Sequence, residues 1–139
     1  MLLAVFTSFG ESMSSSAIDT RDRVQHLVAT AEQWHILDAM QEFYADDVVM
    51  QENLNPPTVG LPANLERERA FVASIAKVNE MRAQAVVVDG DRAVINWRQD
   101  LVTTDGTRLL FDQLSFQLWK DGKIVHERFV YDPGSLSAA

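Results

Sequence analysis

Three Asp-Gly dipeptides, Asp89-Gly90, Asp105-Gly106 and Asp121-Gly122, punctuate an otherwise strand-like run from Glu80 to Asp132. Both residue types tolerate the positive φ of a type I′ turn, so Asp-Gly between β-prone segments is a strong hairpin signal. The run predicts strands at roughly 80–88, 92–103, 108–119 and 123–131, joined as an antiparallel meander with no helix between them. Tight turns also fix which side chains oppose one another, so the same dipeptides predict an interior.

Taken as a two-residue turn, Asp105-Gly106 opposes Leu101 to Leu110, Gln99 to Asp112, Trp97 to Leu114 and Ile95 to Phe116. The same treatment of Asp121-Gly122 opposes Leu118 to Val125, Phe116 to Glu127, Leu114 to Phe129 and Asp112 to Tyr131. These residues share one face, rich in large apolar side chains, which is the predicted interior. Its strongly polar members are Gln99, Asp112 and Glu127, and the alternation Val48, Met50, Glu52 in an earlier strand adds another carboxylate. Charged groups are rarely buried without a reason.

The opposite face carries Asn96, Arg98, Asp100, Gln113, Ser115, Gln117, His126 and Arg128, together with Phe111, Trp119, Ile124 and Val130. A face that is half apolar predicts a partner, most simply a second copy of the chain. The register is sensitive: a bulge near Gln117, or a three-residue turn at Lys120 to Gly122, sends Arg98, Asp100 and Ser115 inward instead.

Before the meander the period is helical. From Ile18, Val24, Leu27, Val28 and Ala31 mark one helix face, and Trp34, Leu37, Met40 and Tyr44 continue it after a phase change near Glu32. Asp46-Asp47 is expected to stop the second helix, Val48 to Glu52 to form a short strand, and Asn53 to Pro62 to form a Pro/Gly loop at a pocket rim. A third helix is expected from Asn64, capped by that residue, with Glu66 and Glu68 in its first turn and Phe71, Val72, Ile75 and Ala76 on its buried stripe. Helices first and strands afterward define an α+β fold. Residues 1–16 read as a disordered extension with Met13 as an alternative start, 17–133 as a single domain, and 134–139 as a tail.

At 139 residues the chain suits one core. Its charge of −8, without a Lys/Arg cluster, argues against nucleic acid and anionic membranes as partners. The apolar start, Met1 to Gly10, is too short to span a bilayer and lacks the marks of a secretory signal, so the expected location is the cytoplasm. There are no cysteines, and His26, His35 and His126 are spread too far apart for metal-ligand spacing. Neither a metal nor a cofactor is expected.

The order helix, helix, Tyr44-Ala45-Asp46-Asp47-Val48-Val49, a loop ending at Gly60, a further helix, and a meander closing on Asp121-Gly122-Lys123-Ile124 through Tyr131-Asp132 resembles the nuclear transport factor 2-like superfamily, in particular its SnoaL-like branch. The resemblance spans 18–132 and implies a cone-shaped roll, a curved and mostly antiparallel sheet wrapped around three helices with a pocket at the open end. It also implies a homodimer through the sheet's outer face. By comparison with ketosteroid isomerases, counting on from the Tyr-Ala-Asp-Asp segment places Glu52 at the general base, while the positions of their oxyanion-hole groups fall near Val28 and near Leu114 or Ser115. Arg98-Gln99-Asp100 resembles the limonene epoxide hydrolases, and Asp112 approximates the pocket acid of SnoaL-type cyclases.

Together these readings name Glu52 as base and Asp112 as acid or orienting group, with Met50, Trp97, Gln99, Phe116, Glu127, Phe129 and Tyr131 binding a small apolar or partly polar molecule. Burial and mutual repulsion raise carboxyl pKa values and make such groups usable near neutrality. The chemistry so implied is cofactor-free proton transfer of the isomerase, cyclase, dehydratase or epoxide hydrolase type. A non-catalytic ligand-binding protein and a homodimeric protein-interaction module are the alternatives.

Overall fold

The computed structural model describes residues 20–135; the expected extension over 1–16 and the end of the expected tail lie outside them. Helix α1 (residues 20–32) turns Val24, Leu27 and Ala31 into the core, the stripe its spacing predicts. It stops at the expected break, where Trp34 adopts a left-handed backbone with φ of 63°. The N–H groups of Trp34 and His35 close back on the carbonyls of Ala31 and Thr30. Such a conformation is costly for a bulky residue and persists only where the surroundings hold it; here the indole packs against Phe71 with ring centroids 6.5 Å apart. Helix α2 (Ile36–Phe43) follows and buries Ala39, Met40 and Phe43.

Strand β1 (Tyr44–Glu52) starts earlier than the sequence predicts. Tyr44 belongs to this strand rather than to the helix, and Asp46 and Asp47 lie within the strand with exposed side chains. Pairing with the last strand, from Tyr44 opposite Ile124 onward, overrides the poor β propensity of aspartate, and the register is irregular just there, between Tyr44 and Val49. A two-residue strand, β2 (Thr58–Val59), forms inside the Pro/Gly loop and pairs with Val49 and Met50.

Helix α3 (Leu61–Ala73) begins at Leu61, with Gly60 at its cap position and φ of 94°. Pro62 sits in the first turn, where a missing N–H is harmless. Asn64 is therefore inside the helix. Its Nδ2 donates to the carbonyls of Thr58 at 3.1 Å and Gly60 at 2.8 Å, tying the loop down rather than capping. The helix ends before Ile75 and Ala76, which open β3 (Ile75–Asp89); Leu61, Asn64 and Leu65 form its buried face.

Strands β3, β4 (Arg92–Thr103), β5 (Arg108–Lys120) and β6 (Lys123–Val130) form the expected meander. The sheet order is β2-β1-β6-β5-β4-β3, with β1 parallel to β6 and every other pair antiparallel. This is an α+β cone in which a curved, unclosed mixed sheet wraps around the helices.

The register between β4 and β5 differs from the two-residue expectation by one position. Thr103 pairs with Thr107 through its N–H, so Thr104, Asp105 and Gly106 form a three-residue loop. The Asp105 carboxylate closes it by accepting from the Thr103 hydroxyl and the Thr107 N–H. Trp97 consequently opposes Gln113 and Ile95 opposes Ser115. Asp121-Gly122 is a two-residue turn, both residues at positive φ, but the ladder shifts between Leu118 and Trp119 so that Glu127 opposes Gln117 and Phe129 opposes Ser115. The loop and the bulge together exchange the faces of β5 and of the start of β6: Gln113, Ser115, Gln117 and Trp119 are buried, while Leu114 and Phe116 are 37% and 44% exposed. Phe111, Trp119 and Ile124, expected outside, pack inward.

Candidate functional site

The open side of the cone encloses a cavity of about 420 Å³ between the helices and the inner face of the sheet. Of the expected site residues, Met50 and Glu52 of β1, Trp97 and Gln99 of β4, Glu127 and Phe129 of β6, and Tyr131 just beyond line it. Asp112 and Phe116 do not. The one-residue shift puts both on the outer face, where the Asp112 carboxylate accepts from Asn96 Nδ2 at 2.8 Å and Gln84 Nε2 at 3.4 Å.

At the floor, Glu127 is 1% exposed, yet its carboxyl is fully engaged. It accepts from the Tyr44 hydroxyl on one oxygen, and from Ser115 Oγ and Gln117 Nε2, each at 2.6 Å, on the other. Trp119 Nε1 donates to Gln117 Oε1 at 3.0 Å, which fixes the amide with its nitrogen toward Glu127. Burial pushes the Glu127 pKa up, and the donors from Ser115, Tyr44 and Gln117 pull against it. Burial and the neighbouring Glu127 push the Tyr44 phenol well above its usual range, so it stays a donor.

Nearer the mouth, Glu68 projects from α3. It follows Leu61, Asn64 and Leu65 at helical spacing, on the face that points at the cavity. Burial, then the charges of Glu127 and Glu52, push its pKa up to about 7, with Arg67 pulling the other way. Glu52 lies 3.7 Å from the Arg67 guanidinium, and its charge acts on the Tyr131 phenol. Burial first and Glu52 second raise the Tyr131 pKa. Asn53, at φ of 50°, joins β1 to β6: its N–H donates to Phe129 O at 2.7 Å and its Oδ1 accepts from Tyr131 N at 3.0 Å. Aromatic rings form a row along the wall, Trp34, Phe71, Phe111 and Tyr131, each within 6.5 Å of the next.

Sequence reasoning therefore missed Glu68, Tyr44, Gln113, Ser115 and Gln117. Glu68 was findable from the Leu61, Leu65, Glu68, Phe71 stripe, had the helix start been placed at Leu61. Among the described residues, no group of three or more His, Cys, Asp or Glu is placed to hold a metal ion, and no helix is long and apolar enough to cross a membrane.

A family model, the SnoaL-like domain, matches residues 24–127, which include β1, α3 and the meander as far as Glu127. The chain belongs to the SnoaL-like family. No curated protein sequence matches it significantly. Several solved structures share the SnoaL-like architecture. An assigned SnoaL-like polyketide cyclase from Mesorhizobium loti is 21% identical, with a TM-score of 0.67 over 78% of this chain and 96% of the other. An epoxide hydrolase of M. tuberculosis, of the LEH-like type, is 16% identical, with a TM-score of 0.68 over 86% and 87%. TerC, co-crystallized with polyporic acid, is 14% identical, with a TM-score of 0.67 over 82% and 92%. At these identities the likeness is one of fold.

Proposed function

We propose that this SnoaL-like chain is a small-molecule pocket protein performing cofactor-free acid–base chemistry, of the isomerase, cyclase, dehydratase or epoxide hydrolase type, on a ligand with an apolar body. The observation that carries the reading is Glu68, a carboxyl held at about 7 in a cavity walled by aromatic rings. A group half-ionised at neutral pH both takes and returns a proton. Glu68 is the proton-exchanging group, and Glu52, paired with Arg67, is the second carboxyl that orients the ligand or shares its proton. Trp97, Phe129 and Met50 hold the ligand body, and Gln99 contributes an amide.

The test is a panel of small epoxides, enones and β-hydroxy carbonyl compounds offered to the wild type and to Glu68→Gln. For a compound that turns over, the variant is expected to lose about 10²-fold in rate, and unchanged turnover removes Glu68 from the role. The engagement of Glu52 favours a second reading, a non-catalytic binder, which a ligand-dependent melting shift without product would support.

The same proposal includes a cytoplasmic homodimer through the outer sheet face. Supporting it, Leu114 and Phe116 stand exposed there, and Arg128 opposite Phe116 keeps a buried Nε without a hydrogen-bond partner. Light scattering that gives a monomer mass at micromolar concentration would remove it.

A further inference from the structure

The ionisable groups around the cavity are unbalanced in sign. Glu52, Glu68 and Glu127 line it, the phenols of Tyr44 and Tyr131 add no positive charge, and among the described residues no lysine or histidine is present in the wall. Among the described residues the one lining cation is Arg67, and its guanidinium is already directed at Glu52, 3.7 Å away, and at Thr58 Oγ1, 2.7 Å away. An anionic ligand would meet carboxylates with no free counter-charge. The chain as a whole, at −8, repels anions and concentrates cations in the same direction.

Two further observations narrow the kind of cation. The carboxyls are not clustered as metal ligands among the described residues, so a compact metal ion lacks its shell. The wall instead offers the row of rings from Trp34 through Phe71 and Phe111 to Tyr131, with Trp97 and Phe129 beyond it. Rings with nearby carboxylates suit an organic cation, whose diffuse charge is attracted to ring faces and whose body is apolar.

We propose that the cavity selects protonated amines carried on an aromatic or aliphatic body, the ammonium between Glu52 and Glu68 and the body along the ring row. This names the substrate class of the acid–base site proposed above and rests on that site holding the ligand. Glu68 faces Glu52 and Tyr44 of β1, Glu127 of β6, and Arg67 on its own helix. Without a ligand, its ionisation is opposed by burial and by like charge. An ammonium beside it reverses that balance, so amine binding strengthens as Glu68 ionises and releases a proton wherever Glu68 was neutral.

The experiment is calorimetric titration of the full chain with 2-phenylethylamine, 2-phenylethanol and 3-phenylpropanoate, in an amine-free buffer, at about pH 8 and about pH 5.5, either side of the expected ionisation. The amine is expected to bind about tenfold more tightly than the alcohol at the higher pH, with the gap narrowing to about threefold or less at the lower, and the carboxylate most weakly. In Glu68→Gln the gap at the higher pH should shrink to the low-pH value. Glu52→Gln gives the same readout if that variant fails to fold. The proposal is overturned if the alcohol binds as tightly as the amine at the higher pH, if the carboxylate binds best, or if no probe binds at millimolar concentration. Turnover is not read here. Loss of proton transfer with the amine preference intact removes the acid–base reading alone, and a neutral preference with turnover intact removes the amine selectivity alone.

Discussion

At the floor of the cavity Glu127 accepts hydrogen bonds from Tyr44, Ser115 and Gln117, whereas at the α3 wall Glu68 is set chiefly by partial burial and by the charges of Glu127 and Glu52. Both carboxyls titrate above their usual range, and burial is the first cause in each. The surroundings differ, and so do the consequences. A carboxyl held by several fixed donors is a strut, because its neighbours were folded around its lone pairs. A carboxyl raised mainly by burial and like charge keeps an adjustable proton, because any incoming cation, donor or water changes the balance. The floor should therefore register in stability, and the wall in chemistry and in pH dependence.

The largest effect should come from breaking the floor. Glu127→Ala removes the acceptor shared by Tyr44, Ser115 and Gln117, and urea denaturation is expected to show a loss of about 3–5 kcal/mol. A loss below about 1 kcal/mol would place Glu127 with the adjustable carboxyls instead.

A smaller effect belongs to the wall and has a definite sign. The folded chain holds the Glu68 proton to about 7, against 4.5 for the unfolded group, so the native state binds more protons between those values. Stability contributed at low pH is therefore lost as pH rises from about 4.5 to about 7, by on the order of 3 kcal/mol. Glu127 shifts in the same direction, so the contribution of Glu68 is read as the difference between the wild type and Glu68→Gln, whose profile should be flatter. Parallel profiles would erase the distinction between the two carboxyls.

The smallest effect tests the sheet register. Asp112 is exposed on the outer face with Asn96 and Gln84 as partners. Asp112→Asn is expected to leave turnover unaltered and stability within about 0.5 kcal/mol. A large loss of activity would mean that Asp112 reaches the cavity after all.

How far the sequence carries is clearest at β5. The meander, the break before Trp34, the inward face of β4 and that of β6 from Glu127 onward follow from turn chemistry and periodicity. The face of β5 does not, because apolar content argued for Leu114 and Phe116 inside while the chain buries Gln113, Ser115 and Gln117. Ser115 and Gln117 are worth burying because Glu127 needs donors, a requirement that spans β5 and β6 and has no local signature. The Asp105 side chain hides the other half of the cause: by bonding the Thr107 N–H it opens an apparent two-residue turn into a three-residue loop. Glu68 was misplaced for a simpler reason. Asn64 looks like a cap, which assigns Glu68 to the first turn, but Gly60 and Pro62 start the helix one turn earlier, and Leu61 and Leu65 then extend the buried stripe through Glu68.

The most direct measurement is a carbon-13 carboxyl titration by nuclear magnetic resonance, with the Glu68 resonance assigned by its loss in Glu68→Gln. A midpoint near 7 is the expected result; a midpoint below about 5, in the range of an ordinary exposed glutamate, would contradict the account.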